Sequence, residues 1–433
     1  MYLKKINRIL EFKKVMGIEF MPAKKNIAIL GGGPASSTLA IRLCKEGYNV
    51  VIFATPEQAP ILVGESLVPM IVPLLQALEV EQEVAAYSVY KPGACFTYNA
   101  EEVFEFRFDE TPGDLPSYSY NVPRDKFNAT LLDAALRAGA KLVNRKVVLN
   151  QVGDSEYIKL DDEALQEASG CWEGSEPDLI VDAAGRVNLV GHLLNIPMQQ
   201  GPRRDVALFA HVDQTELVDP GYVHNDRMDQ GWCWRIPLPG KVSLGFVVPE
   251  SYALKHGDTP EEQYDNLLKN DQVLRKLAPN VRRLTSVIRF NNYQSISERL
   301  CAGNWVMLGD SGGFIDPVFS SGMLIAMDSA NKLADTILQN KPLSDYELVI
   351  KQHLSAWFEI VDYYYNGRLM SSIKVGMMMP DNIFNRLIYK WVSSHVSRIF
   401  SGAAASNPFS LKLLRFLVKY GLKDRNPDVY KIN

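Results

Sequence analysis

Three loops, far apart in the chain, carry residue types suited to holding a dinucleotide. Gly31-x-Gly33-x-x-Ser36 follows an apolar run, Asn26 to Leu30, and opens a helical stretch. In such a loop the first glycine permits a tight turn and the second lets the backbone approach a pyrophosphate, while the helix start adds amide donors and the positive end of its dipole. Ser36 stands where a third glycine is usual. Ala54 closes the second strand, where a Glu or Asp ordinarily grips the ribose hydroxyls, and Glu57 three residues on is the candidate substitute. The other loops are Asp182-Ala183-Ala184-Gly185-Arg186 and Gly309-Asp310-Ser311-Gly312-Gly313, each after a short apolar run. Ligands of open α/β sheets sit at such carboxyl ends of strands.

The elements that must position these loops follow from hydrophobic period. Asn26 to Leu30 reads as a buried strand, Ala35 to Glu46 as a helix stopped by Gly47, and Asn49 to Phe53 as a second strand. Alternation at Val103, Phe104, Phe106 and Phe108 predicts antiparallel strands within Thr97 to Val122. Arg124 to Ala138 reads as a helix, Lys141 to Leu149 and Leu179 to Val181 as strands, Val206 to Pro249 as strand-rich, and Trp305 to Leu308 as a buried strand. A helix is expected from near Ser320, and helices throughout after Asp345, with an apolar stripe at Phe384, Leu387, Ile388, Trp391 and Val392.

The expected fold class is therefore α/β, a Rossmann-like dinucleotide domain interleaved with a β-rich substrate domain and followed by a helical C-terminal region. The dinucleotide domain is assigned to 21–96, 124–190 and 290–345, the substrate domain to 97–123 and 191–289, the helical region to 346–433, and an N-terminal tail to 1–20. No second dinucleotide unit follows, so NAD(P)H has no domain of its own.

Composition narrows the function classes. The 433 residues are 47% hydrophobic and 22% charged, as in a folded protein, and a net charge of −4 gives no global field for nucleic acid. Five cysteines without a CxxC pair and six unclustered histidines argue against a metal site or a disulfide framework and fit a reducing cytoplasm. The basic first twenty residues contain no apolar run long enough for a secretory signal or a membrane span.

Four segments together resemble the flavin-dependent halogenases: Gly64-Glu65-Ser66-Leu67-Val68-Pro69, Asp182 to Arg186, Trp232-Cys233-Trp234-Arg235-Ile236-Pro237, and Gly309 to Gly322 ending in Phe319-Ser320-Ser321-Gly322. The Trp-x-Trp-x-Ile-Pro pattern is that family's signature, and the resemblance covers roughly residues 26 to 345. Phe-Ser-Ser-Gly is nearest to the pyrrole and phenol branch, since tryptophan halogenases carry a glutamate at the position of Phe319.

The resemblance implies FAD, with Gly31, Gly33, Ser36, Glu57, Arg124, Asp182, Gly185, Asp310, Gly313 and Gly322 as cofactor-binding candidates. It further implies that reduced FAD and oxygen give a C4a-hydroperoxide, that a halide held by Ser321 and Gly322 attacks it, and that hypohalous acid passes Trp232, Trp234 and Pro237 in a tunnel. The acceptor is a lysine: Lys91, within Lys91-Pro92-Gly93-Ala94, matches the family's Lys-x-Gly-Ala segment. Glu65 and Phe319 join Lys91 as catalytic candidates. For the two tryptophans, ordinary strand packing explains period two equally well. Tyr363 to Tyr365 and Met377 to Met379 read either as helical core or as the lining of an aromatic pocket.

The expected activity is halogenation of a pyrrole, phenol or indole, free or tethered to a carrier or partner protein, with reduced flavin from a separate reductase or NAD(P)H as electron source. Two alternatives stay open. One is a flavin monooxygenase that hydroxylates a peptidyl tryptophan of a partner protein during tryptophylquinone maturation, which makes protein modification the task. The other is a non-catalytic flavoprotein assembly factor.

Overall fold

The computed structural model describes residues 25–55, 62–99, 102–111, 115–213, 219–278, 280–292, 294–378, 395–420 and 427–433. The N-terminal tail, Glu57, Met379 and the stripe from Phe384 to Val392 lie outside them.

β1 (Asn26–Leu30) is buried at every residue and has a parallel partner on each side; an unbroken apolar run suits a parallel strand whose two faces are both covered by the core. After β1 come α1 (Pro34–Lys45) and β2 (Asn49–Ala54). Proline at the first helical position needs no amide donor, and Gly47 supplies the positive φ of +82° that turns the chain back. β3 (Gly93–Asn99) and β4 (Glu102–Arg107) form a hairpin. There follow α2 (Arg124–Arg137), β5 (Lys141–Asn144) and β6 (Leu179–Asp182).

The predicted strand from Lys141 to Leu149 is in fact two. Arg145 donates its backbone N–H to Val143 O at 3.0 Å and turns the chain, and Leu149–Gln151 then pairs with Ile158–Leu160 in a separate ribbon.

β7 (Asp205–Val212), β8 (Val223–Arg227), β9 (Trp232–Leu238), β10 (Lys241–Pro249) and β11 (Ile288–Asn292) join the hairpin in a seven-stranded sheet ordered β11-β7-β10-β9-β8-β3-β4. Only the β8–β3 contact in it is parallel. β12 (Trp305–Met307) extends the first sheet, which runs Cys301–Ala302, β12, β6, β1, β2, β5 and is parallel apart from its Cys301–Ala302 edge. α3 (Ser321–Leu338) packs on α1, and α4 (Leu343–Tyr365) packs on α3. α5 (Pro408–Tyr420) belongs to the helical end.

Period two gives β7 two apolar faces. Ala207 and Phe209 point into the core shared with the parallel sheet, whereas Val206, Leu208, Ala210 and Val212 point into a second core under the helix at Pro260–Asn270. From the same sheet Val223, Asn225, Trp232, Trp234, Ile236 and Phe290 face the loops that end β1, β6 and β12. That junction holds the cavity described next.

Candidate active site

A cavity of about 1100 Å³ lies where the loops after β1, β6 and β12 converge, with Gly31 to Ala35, Ala183 to Val187, Asp310 and Gly313 to Pro317 on its wall. That is the upper end of small-molecule pocket sizes, as an extended dinucleotide needs. Gly31 adopts φ +108°, and a Cβ there would sit 2.4 Å from Ala183 O, so the turn tolerates no side chain. A Cβ on Gly33 or Gly322 would meet nothing within 4 Å, which leaves both backbones open to a ligand. Gly33 caps α1, and Ser320, at φ +55°, caps α3 without a side-chain hydrogen bond. Two bare helix N-termini thus face one cavity, each favouring negative charge.

Electrostatics agree with a diphosphate ligand. Arg124 donates to Val63 O and to Asn128 Oδ1 at 3.2 Å, its Nε is buried without a partner among the described residues, and burial pulls it down to about 10. Arg186 lies over the Phe290 ring at 3.2 Å, donates to Asn291 O, and is likewise lowered to about 10 by burial. Between them Asp310 is pushed up to about 6 by burial, which the two arginines oppose. Two cations with unspent hydrogen-bonding capacity and open glycine backbone fit a pyrophosphate-bearing cofactor.

At the other end, Ala54 is paired in register with Asn144, and Asn144, Arg145 and Lys146 line the wall there. These three were missed because nothing in β5 marks it as the neighbour of β2.

Several sequence candidates stand off the cavity wall. Asp182 accepts from Val190 N at 2.9 Å, Ala184 N at 3.1 Å and Ser311 Oγ at 3.1 Å, tying two of the loops together from behind; burial raises its pKa against these bonds. Ser36 is buried in α1 with Oγ unpartnered among the described residues. Pro237 is a buried strand residue. Phe319 packs among Phe96, Trp357, Tyr364 and Phe400 with ring centroids 5.5–6.4 Å apart, beside the cavity rather than in it. Met378 is 70% exposed and lines no pocket, while Tyr364 and Tyr365 are buried.

Ser321, Gly322, Gly185, Gly313, Glu65, Trp232 and Trp234 do line the cavity. Ser321 Oγ is buried with no partner among the described residues. Trp232 Nε1 donates to Tyr365 Oη at 2.9 Å, which in turn donates to Asp316 Oδ2 at 3.0 Å, so one tryptophan is braced by α4 and by the loop before α3. Trp234 Nε1 donates to Ser243 Oγ at 3.2 Å.

Lys91 is 3% exposed and lies one layer behind Ser66. Its Nζ donates to Ser66 Oγ at 2.8 Å and Leu67 O at 2.9 Å and sits 5.4 Å from the Phe108 centroid. Among the described residues no carboxylate pairs with it, and burial lowers its pKa to about 7. His211, which the sequence offered no reason to select, places Nε2 2.6 Å from Glu65 Oε1.

Among the described residues no helix is long and apolar enough to cross a membrane, and none of them form a cluster of three metal-ligating side chains.

Comparison with known proteins agrees with this architecture. The chain is 25% identical over 384 residues to the 1H-pyrrole-2-carbonyl-[peptidyl-carrier protein] chlorinase of Pseudomonas fluorescens, covering 80% of this chain and 84% of the relative. Its fold matches a flavoprotein/dehydrogenase from Cytophaga hutchinsonii, with a TM-score of 0.75 at 22% identity over 92% of this chain and 98% of that one. It also matches the flavin-dependent brominase Bmp2, with a TM-score of 0.73 at 18% identity over 92% and 98% of the two chains. The family model for tryptophan halogenase matches residues 26–111 and 94–368. Sequence motifs, fold and cavity lead to one assignment: the chain belongs to the tryptophan halogenase family, whose members are FAD-dependent oxidoreductases.

Proposed function

We propose that this flavin-dependent halogenase acts on a pyrrole- or phenol-type aromatic ring borne by a carrier protein, drawing reduced flavin from a separate reductase. One observation carries the chemistry: Lys91 is a sealed lysine whose hydrogen-bond partners among the described residues are all neutral, with a pKa near 7. About half of such amines are neutral at physiological pH, and a neutral amine is a nucleophile towards electrophilic halogen. The carrier-borne ring is supported by the likeness to the pyrrole-carrier-protein chlorinase and by Phe319 in place of a glutamate.

Bound reduced FAD supplies the electrons that activate oxygen. The N-terminus of α1, Arg124 and the Gly31–Gly33 backbone would hold its diphosphate, and Asp310 and Gly313 its ribityl side. Ser321 and Gly322 hold the halide at the start of α3, where the dipole favours an anion. Trp232 and Trp234 close the cavity on the substrate side and exclude water. Lys91 receives hypohalous acid through its Nζ and orients the halogen towards the ring, and Ser66 and Leu67 fix that nitrogen. The likeness to a chlorinase and the family match weigh against hydroxylation of a peptidyl tryptophan and against a non-catalytic assembly role.

The test mixes chemically reduced, FAD-loaded protein with aerated bromide buffer and a small halogen-trapping probe. Brominated probe is expected from wild type and on the order of 10³-fold less from Lys91→Ala, with flavin reoxidation unchanged. Peroxide alone, indifferent to bromide, would overturn the proposal. Carrier-borne against free pyrrole-2-carboxylate is then compared by kcat/KM.

A further inference from the structure

His211 and Glu65 form a buried pair that the chemistry at Lys91 does not use. His211 sits on β7, on the face that carries Ala207 and Phe209 towards the cavity side, and Glu65 lines the cavity itself. The two are 4% and 3% exposed. With Nε2–H donated to Glu65 Oε1 at 2.6 Å, the other ring nitrogen, Nδ1, is left buried and without a partner among the described residues. Leaving a polar atom so costs stability, yet the position is rigid: the His211 backbone N–H is held by Thr285 Oγ1 at 3.0 Å and its carbonyl by Leu284 N–H at 2.8 Å. Of the neighbouring charges, Arg124 acts on Glu65 through space, and Asp310 acts on Arg124.

The reaction needs protons inside this enclosed space. One anionic reduced flavin, one oxygen molecule, one halide and two protons yield oxidised flavin, one hypohalous acid and one water. Oxygen takes four electrons, two from the flavin and two from the halide. The later attack of the aromatic ring on hypohalous acid gives halogenated ring and water, with no net proton. Both protons must therefore reach the cavity before the halogen leaves it.

We infer that Glu65 and His211 form a proton relay for the flavin cavity. Glu65 delivers protons at the wall, and His211 passes its Nε2 proton to the Glu65 carboxylate while a water molecule entering beside Nδ1 supplies the replacement proton from solvent. Imidazole suits the second task because one ring nitrogen can donate while the other accepts. The inference rests on the halogenase reading.

His211→Gln separates relay from simple positioning, because its side-chain amide still donates to Glu65 but passes no proton on. The expected result is a kcat for bromination about 100-fold lower, with FAD Kd and probe KM within about threefold of wild type. Glu65→Gln should lose as much, and the double variant no more, as for groups acting as a unit. A His211→Gln enzyme with near-wild-type kcat, or one whose loss lies in FAD affinity, overturns the relay.

A second readout needs no cofactor. In nitrogen-15 spectra of flavin-free protein, the imidazole signal missing from His211→Gln should shift in Glu65→Gln; an unmoved signal also overturns the pair. Wild type that brominates nothing removes the halogenase reading and the relay with it. That outcome differs from an active wild type with an equally active His211→Gln.

Discussion

Two buried cations on neighbouring parts of the molecule are treated oppositely. Arg235, within the Trp-x-Trp strand, is 8% exposed and makes a bidentate pair with the fully buried Asp226, Nε to Oδ2 at 2.7 Å and the other arm to Oδ1 at 2.9 Å. The pairing overcomes burial and raises its pKa. Lys91, at 3% exposure, has a hydroxyl, a carbonyl and the Phe108 ring but no carboxylate among the described residues, and its pKa falls to about 7. A buried charge with a carboxylate is a permanent structural cation; a buried amine without one is poised to lose its proton. The difference leaves Lys91 with an amine that readily gives up its proton, at the expense of stability.

The largest test of that contrast is Lys91→Ala, expected to lower halogenation on the order of 10³-fold while Arg235→Lys leaves the halogenation chemistry competent. An equal loss in both would erase the distinction. In the wild type the halogenation rate should rise with pH through about 7 and level above it, because the neutral amine is the proposed reacting form. A profile that falls over that range would assign the dependence to another group.

Stability should separate the two cations next. Asp226→Ala strands a buried guanidinium and should cost about 3–5 kcal/mol in denaturant unfolding. Lys91→Met should instead stabilise, by up to about 4 kcal/mol near pH 6. The sign follows from linkage: the unfolded amine keeps its proton up to its ordinary pKa of 10.5, whereas the folded one releases it near 7. The penalty is full below pH 7, shrinks as pH rises and is gone by about 10.5, so the advantage of methionine should vanish over that window. A pH-independent gain would point to packing instead.

The smallest expected effect is at the halide candidate. Ser321→Ala removes a buried hydroxyl with no protein partner among those described, and should raise the bromide KM several-fold, about 1 kcal/mol, with FAD affinity unchanged.

Much of the fold was legible because its signals are local. Asn26 to Leu30, the glycine turn and the Pro34 helix follow from runs, φ requirements and caps within twenty residues. The strand expected through Leu149 failed at Arg145, where a turn the pattern does not encode splits it in two. Cavity-lining Gly31, Gly33, Arg124, Asp310 and Gly322 were nameable from motif spacing, whereas Asn144 was not, since its role depends on β5 lying beside β2. Asp182 shows the converse case: its motif was visible, but its carboxylate ties loops together behind the wall.

By itself the sequence determined the turn after β1, because Gly31, as a glycine, adopts φ +108° at no steric cost. It also determined which strands could be buried on both faces. Only the tertiary structure decided the charge state of Lys91, since burial comes from Leu67, Ser66 and Phe108 arriving from separate segments. It alone brought His211 to Glu65 across 146 residues. Dihedral preference acts within a few residues, but desolvation and hydrogen-bond pairing exist only once distant segments have closed around a group.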